Sequence, residues 1–363
     1  MQEKKFHFGC QKCGAKLYYS ADEGELKCSY CSHINTIQRE FKKVIERDYL
    51  TTLSMLKKQE RKKVEIEATK CNSCGATFEL SKDTHASTCP YCSSPIVNET
   101  SLYRVIEPQA ILPFKVQREE ARAVFKKWIN GLWFAPNSLK NITKAQNKLK
   151  AIYIPYWTYD SDTYSRYRGR RGEKYYVTER YSVVVNGQHQ SRTRQVERIE
   201  WYAVSGDLNK HFDDVVVPAT DSLQHTPKNW DLENLVDYDP SYISGYESEY
   251  YTIDLPEGLV DAKRDMEVGI RVSIKRQIGG DLQEITTLET HHSNITYKHI
   301  LLPLYASAFK FNNKVYSYVI NARNAEIDGD RPYSVVKITF AVAFALLVVS
   351  GGVYLYEHPE LIS

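Results

Sequence analysis

The sequence predicts a multidomain α+β protein with a mostly antiparallel, β-rich body. Two small cysteine-held units joined by a helix come before the body, and a single membrane-spanning helix follows it. Three observations predict this. All eight cysteines fall in two stretches, CQKCGAKLYYSADEGELKCSYC and CNSCGATFELSKDTHASTCPYC, which share one internal spacing. The middle of the chain is dense in tyrosine and β-branched residues, which suit pleated, half-buried surfaces. Near the end, ITFAVAFALLVVSGGVYLY carries no charge.

The cysteines are Cys10, Cys13, Cys28 and Cys31, then Cys71, Cys74, Cys89 and Cys92. Each set is CxxC, fourteen residues, CxxC, and the second repeats the first at an offset of 61. Two cysteines two residues apart can turn both sulfurs onto one ion, so each set suits a tetrahedral four-thiolate site. Gly14 and Gly75 follow the first pair of each set, where backbone freedom lets the chain wrap the ion. Zinc is the expected cofactor, at two structural sites in two zinc ribbons. Iron also accepts this geometry, and disulfides are the competing use of such cysteines. Four protein ligands leave no open coordination position, so the sites are expected to hold structure and not to catalyse. Ribbon 1 is placed at residues 1–36 and ribbon 2 at residues 67–98.

Between them, at residues 37–66, Phe41, Val44, Ile45, Tyr49, Leu53 and Leu56 recur at three and four residues. That period predicts an amphipathic linker helix with a basic outer face ending in the run from Lys57 to Lys63. The run reads as a solvated face, with acidic lipid or phosphate as its sharper use.

The body is expected over residues 99–334. QREEARAVFKKWIN and SLKNITKAQNKL predict two short helices, and residues 257–277 a longer one. AIYIPYWTYD, TYSRYRGR, KYYVTERYSVVV and TRQVERIEWYAV predict separate strands, with Asn186-Gly187 as a hairpin turn. KHILLPLYASAFKF, NNKVYSYVINA and AEIDGDRPYS predict a closing meander.

The uncharged stretch from Ile338 to Tyr356 has nineteen residues. At the helical rise these cover roughly 28 Å, close to the hydrocarbon thickness of a bilayer. A transmembrane helix is therefore expected at residues 335–357, with a short external tail at residues 358–363. Arg331 and Lys337 precede the span, and acidic residues follow it. The positive-inside rule then places the bulk of the chain in the cytoplasm, anchored by one pass in the cell membrane. MQEKKFHFGC has no apolar run after its charges and does not read as a secretory signal.

No phosphate loop, dinucleotide turn or nucleophile elbow occurs, and the ribbons use every cysteine. His291, His292 and His299 read as surface or hydrogen-bonded histidines, and Asp213-Asp214 as turn acids. The chain is thus expected not to be an enzyme. One basic patch stands out: Arg166, Arg168, Arg170, Arg171 and Lys174 lie among tyrosines. It suits an anionic ligand, nucleic acid or lipid, but its alternation also fits the outward face and turn of a strand pair. A net charge of +3 ranks nucleic acid below the other partners.

The ribbons, PFKVQREEARAVFKKW, YIPYWTYD, LLPLYASAF and the end VYSYVINARNAEIDGDRPYSVVK carry a resemblance over most of the chain. The chain resembles the bacterial membrane-anchored zinc-ribbon proteins often labelled "primosomal protein N′ (replication factor Y)-like" or "TFIIB-type zinc ribbon-containing". Gly329, Arg331, Pro332, Tyr333 and Ser334 match that family's terminal motif, and Asn321 to Asn324 depart from it. The resemblance implies a place beside phage-shock-type envelope-stress proteins. The expected function is a non-enzymatic membrane-anchored adaptor with protein partners at the membrane. A membrane-tethered nucleic-acid binder is the alternative.

Overall fold

A computed structural model describes residues 9–37, 44–58, 67–71, 77–78, 86–89, 94–97, 100–102, 106–139, 149–185, 188–222 and 225–357. Ribbon 1 is a three-stranded sheet of β1 (Leu17–Ser20), β2 (Glu25–Cys28) and β3 (Ile34–Asn35). β4 (Arg47–Asp48) then leads into α1 (Tyr49–Lys58). The second cysteine region contributes β5 (Glu67–Lys70), β6 (Thr77–Phe78), β7 (Ala86–Thr88), β8 (Pro95–Val97) and β9 (Thr100–Leu102). The body runs through β10 (Ala110–Ile111), α2 (Arg118–Gly131), β11 (Lys150–Val185), β12 (Gln188–Pro218), β13 (Val236–Asp237) and β14 (Glu247–Ser248). It closes with α3 (Leu255–Ile278), β15 (Leu282–Phe311), β16 (Lys314–Asn321), β17 (Ile327–Gly329) and α4 (Val335–Glu357). The α+β class and the mostly antiparallel sheet agree with the sequence reading.

Three strands dominate. β11 has 36 residues, β12 has 31 and β15 has 30. At the strand rise β11 spans roughly 120 Å. β12 pairs antiparallel with β11 from Tyr156↔Pro218 to Val185↔Gln188. β15 pairs with the other edge of β11 from Lys150↔Ala306 to Gly172↔Leu282. Beyond Gly172 the arm is two-stranded. This corrects the expectation of several short strands, and of a turn within YSRYRGRRGEKYY. The glycines there admit close approach instead. A Cβ on Gly169 would lie 2.3 Å from the Glu284 carbonyl oxygen, and one on Gly206 2.8 Å from the Tyr167 hydroxyl. Asn186 and Gly187 fall outside the described residues, but the strands they join do form a hairpin.

At its base the sheet is covered on both faces, which is why YIPYW and ILLPLYASAF read as continuous apolar runs instead of alternating ones. Tyr153, Leu301, Tyr305 and Phe309 face α2 and ribbon 1, where Phe125 and Ile129 complete the packing. Ile152, Ile154, Ile300, Leu302 and Leu304 face the opposite layer with Leu112, Cys71 and Cys89. Further along, α3 lies on the arm. Its buried residues Leu255, Gly258, Leu259, Ala262, Met266, Ile270, Ile274 and Ile278 form one stripe of i, i+3 and i, i+4 spacing. They meet Trp157 and Tyr159, then Tyr167, Leu208 and Ile285. Asp254 and Glu257 close a capping box at the start of α3, and Gly279 ends it at φ 66°.

The linker expectation needs correction. Among the described residues of this segment, helix forms over Tyr49–Lys58, where Asp48 Oδ1 accepts from Thr51 N at 2.7 Å. Arg47 and Asp48 instead pair with Tyr297 and Thr296 of β15, so this segment belongs to the body's sheet. Residues 38–43 and 59–66, with most of the Lys57 to Lys63 run, lie outside the described residues. So do Cys74, Cys92, residues 140–148 of the second expected body helix, and the tail at 358–363.

Candidate metal centre and its surroundings

Ribbon 1 gathers the four sulfurs of Cys10, Cys13, Cys28 and Cys31 within 4.8 Å of one another. Cys10 and Cys31 are 3.6 Å apart, and Cys13 and Cys28 are 3.5 Å apart. A tetrahedron with metal–sulfur bonds of about 2.3 Å has edges of about 3.8 Å, so the four sulfurs fit around a single ion. The described cysteines are free of disulfides. Gly14 takes φ 74° and donates its N–H to the Cys10 carbonyl at 2.8 Å, the tight turn foreseen for this position. Amide groups face the sulfurs: Lys12 N reaches Cys10 Sγ at 3.4 Å, and Tyr30 N reaches Cys28 Sγ at 3.4 Å. Burial works against a Cys10 thiolate. The amides of Cys13 and Lys12 and the neighbouring sulfurs outweigh it and bring the thiol down to about 6. Of the second set, Cys71 and Cys89 are both buried in the body core. The structure therefore brings one complete set together among the described residues.

Ribbon 1 does not hang free. Tyr19 N donates to the Ser244 carbonyl at 2.8 Å, and Ser244 Oγ donates to the Leu17 carbonyl at 2.8 Å. The Tyr19 ring packs 5.3 Å from Tyr242 and 6.3 Å from Tyr246. Gly245, at φ 90°, lets Tyr18 sit down on this loop. A cleft of about 330 Å³ runs along the seam, lined by Asp22, Lys27, Arg118, Glu119 and Tyr246 among others. The opposite, knuckle side of the ribbon stays open, with Tyr30 84% exposed.

The basic patch is largely neutralised within the arm. Arg166 pairs with Asp207, Arg170 with Glu284, Arg171 with Glu173, and Lys174 with Glu197 at 2.8 Å. Arg170 also lies over the Trp201 ring at 5.1 Å. Arg168 is the member without a carboxylate partner among the described residues. Tyr167 turns inward, whereas Tyr164 stays on the outer face and donates to Asp207 Oδ1 at 2.8 Å.

A second cluster had no local signal in the sequence. Carboxylates of Glu46, Asp160 and Asp213 lie within 4.8 Å of one another. A bulge in β12 sets Asp213 and Asp214 opposite Asp160 of β11, and Asp214 N donates to the Asp160 carboxyl at 2.7 Å. Lys298, only 6% exposed in its side chain, supplies the cation: its Nζ lies 2.6 Å from Asp214 Oδ1 and 3.0 Å from Glu46 Oε1. Burial disfavours the ammonium, but its bonds to Asp214 and Glu46 dominate and raise its pKa. Burial, aided by the Glu46 carboxyl beside it, lifts Asp160 to about 6. The cluster is thus a latch between the segment before α1 and the sheet, with one ammonium set among four carboxylates. Asp213 and Asp214, expected as turn acids, instead lie inside β12 at its bulge, where Asp214 takes φ 51°.

The histidines separate. His292 Nδ1 lies 3.3 Å from Ser161 Oγ. His299 is buried, its Nδ1–H donating to the Ile106 carbonyl at 2.7 Å.

α4 carries a 20-residue window, Val335–Tyr354, long and apolar enough to cross a membrane, and none of it is buried. No family model matches the chain, and no solved structure matches it. Among curated proteins it is similar to the uncharacterized protein YdjG of Bacillus subtilis (strain 168). The two are 21% identical over 251 residues, which span 69% of this chain and 70% of that one.

Proposed function

We propose that this protein is a non-enzymatic, membrane-anchored adaptor whose zinc ribbons form a cytoplasmic docking surface. One observation carries the reading: a closed four-sulfur centre is bonded to the Ser244 loop of a body that runs into an exposed apolar helix. Zinc suits four thiolates, and with all four positions taken it would stabilise the ribbon without activating water. The second set, spaced identically, would hold a second zinc. α4 is the single pass, with Arg331 and Lys337 on the cytoplasmic side. The open knuckle around Tyr30 is the face offered to a protein partner. An envelope-stress membrane complex is the setting that the sequence resemblance supports. Pairing of four of the five patch cations favours a protein partner over a polynucleotide.

The test is purification of the full chain from crosslinked membranes, with metal analysis. The expected result is bound zinc and a partner that Tyr30→Ser loses without losing zinc. Chelation should detach ribbon 1 from the Ser244 loop and raise its amide exchange, while α3 stays protected. Unchanged exchange in Leu17–Cys28 after verified metal removal would count against the structural-zinc reading. Polynucleotide binding that survives physiological salt would replace the adaptor reading with the nucleic-acid one.

A further inference from the structure

The loop after α2 holds an aromatic pair that the fold leaves in the open. Trp133 is 81% exposed and Phe134 41%, whereas Trp157 is fully buried and Trp201 lies beneath Arg170. The pair cannot fold back onto the body. Ile129, one turn earlier, is locked in the core, and Ala135 N closes the loop by donating to the Leu132 carbonyl at 3.1 Å.

This loop is bonded to the start of α4. Ser334 N donates to the Phe134 carbonyl at 2.7 Å. Lys337 Nζ donates to the Trp133 carbonyl at 3.1 Å and the Ala135 carbonyl at 2.8 Å. Lys337 is the third residue of α4 and lies inside the apolar window. Its charge is turned back toward the body and satisfies carbonyls that the loop cannot pair internally, as a lysine does when it keeps its head at a membrane face. The same geometry brings Trp133 and Phe134 to the depth at which the helix begins. Tyr333 adds a third exposed ring there, at 56%, with the Arg331 guanidinium 5.7 Å from its centre. Lys126 and Lys127 lie exposed on the last turns of α2. Exposed aromatics flanked by cations, level with the end of an apolar helix, match the composition of a bilayer interface.

We infer that Trp133 and Phe134 form a second membrane contact, inserted in the headgroup region of the leaflet where α4 enters. This rests on the reading of α4 as a span and adds an orientation to it. A helix alone would leave the body free to swivel on its tether. Two contacts bonded to each other fix which face of the body looks at the lipid. The ligand is the interfacial region of a phospholipid bilayer, with anionic headgroups drawn to Lys126, Lys127 and Arg331.

The experiment uses the full chain reconstituted in vesicles of phosphatidylethanolamine and phosphatidylglycerol. Emission of the Trp133→Ser variant is subtracted from that of the wild type, which isolates Trp133. The expected difference spectrum is blue-shifted, quenched by lipid brominated high on the acyl chain and shielded from aqueous iodide. A red-shifted difference spectrum, quenched by iodide and indifferent to brominated lipid, in vesicles that keep the protein through an alkaline wash, overturns the loop contact and leaves the span standing. Release of the protein by the alkaline wash overturns the span and the loop contact together. Zinc content equal to wild type checks that the variant is folded.

Discussion

Replacing Lys298 with methionine leaves Glu46, Asp160 and Asp214 facing one another with no cation between them. The methylene stem keeps its packing, so the change reads the charge. Removing one partner of a buried ion pair costs about 3–5 kcal/mol because the other is left desolvated. Glu46 is 41% exposed and Asp214 27%, so water reaches part of the cluster. The expected loss is therefore about 2–3 kcal/mol at neutral pH. The sign of its pH dependence follows from the groups. The folded pKa of Lys298 is raised, so its stabilising charge is present throughout the neutral range and is lost only as pH rises through that value. Asp160 is also raised, to about 6, so below that it is protonated and repels its neighbours less. The Lys298→Met deficit should accordingly shrink at about pH 5 and grow at about pH 8. Urea unfolding of the detergent-solubilised full chain, followed by tryptophan emission at both values, measures it. A deficit under about 0.5 kcal/mol, or one equal at both pH values, would refute the latch.

Two further outcomes are expected. His299 is buried, and burial depresses it to about 4, below its unfolded value of 6.5, so the unfolded chain binds the extra proton between them. Stability from this group is lost as pH falls from about 6.5 toward 4, by up to about 3 kcal/mol, and His299→Gln should flatten that limb of the unfolding profile. Because Asp160 acts in the opposite sense below about 6, the His299 limb should be steepest between about 6.5 and 6. Gly258→Ala puts a Cβ 2.7 Å from Trp157 Cδ1 and 2.8 Å from the Tyr159 hydroxyl. Both rings are tethered, Trp157 Nε1 donating to the Ile253 carbonyl at 2.9 Å and Tyr159 Oη to the Leu255 carbonyl at 2.6 Å. Helix propensity favours alanine by under about 1 kcal/mol and overpacking costs about 1–3, so a net thermal destabilisation is expected.

The local features were legible in the sequence. Cysteine spacing located the sulfur cluster, a helical period located α3, and an uncharged run located α4. The span of the arm was not, because Gly169, Gly172 and Gly206 carry the same letters whether they turn a chain or admit a neighbour. Their role is decided by Glu284, Leu282, Ile199 and Tyr167, which sit on partner strands. The latch was also hidden: Glu46 and Lys298 are 252 residues apart, and neither has a distinctive neighbour in sequence. The docking of ribbon 1 turns on Ser244 and Tyr246, 227 residues from their contacts, and no period encodes such a meeting. Helix is similarly absent over residues 44–48, and at Arg47 and Asp48 pairing to β15 takes the place of the helical period.

The three-stranded arm also has a consequence in time. β11 finds its outer partner β12 across a two-residue gap, so this hairpin can close as soon as it is made. Its inner partner is distant: Ala151 waits for Tyr305, and Ile154 for Leu302. While a ribosome adds that intervening chain, the apolar base of β11 stands with one hydrogen-bonding edge open, the condition under which nascent sheets associate wrongly. α4 begins soon after β15 is complete. Sheet closure and the emergence of an exposed apolar helix thus fall almost together in biogenesis, and a chaperone that shields one segment would be in time to shield the other.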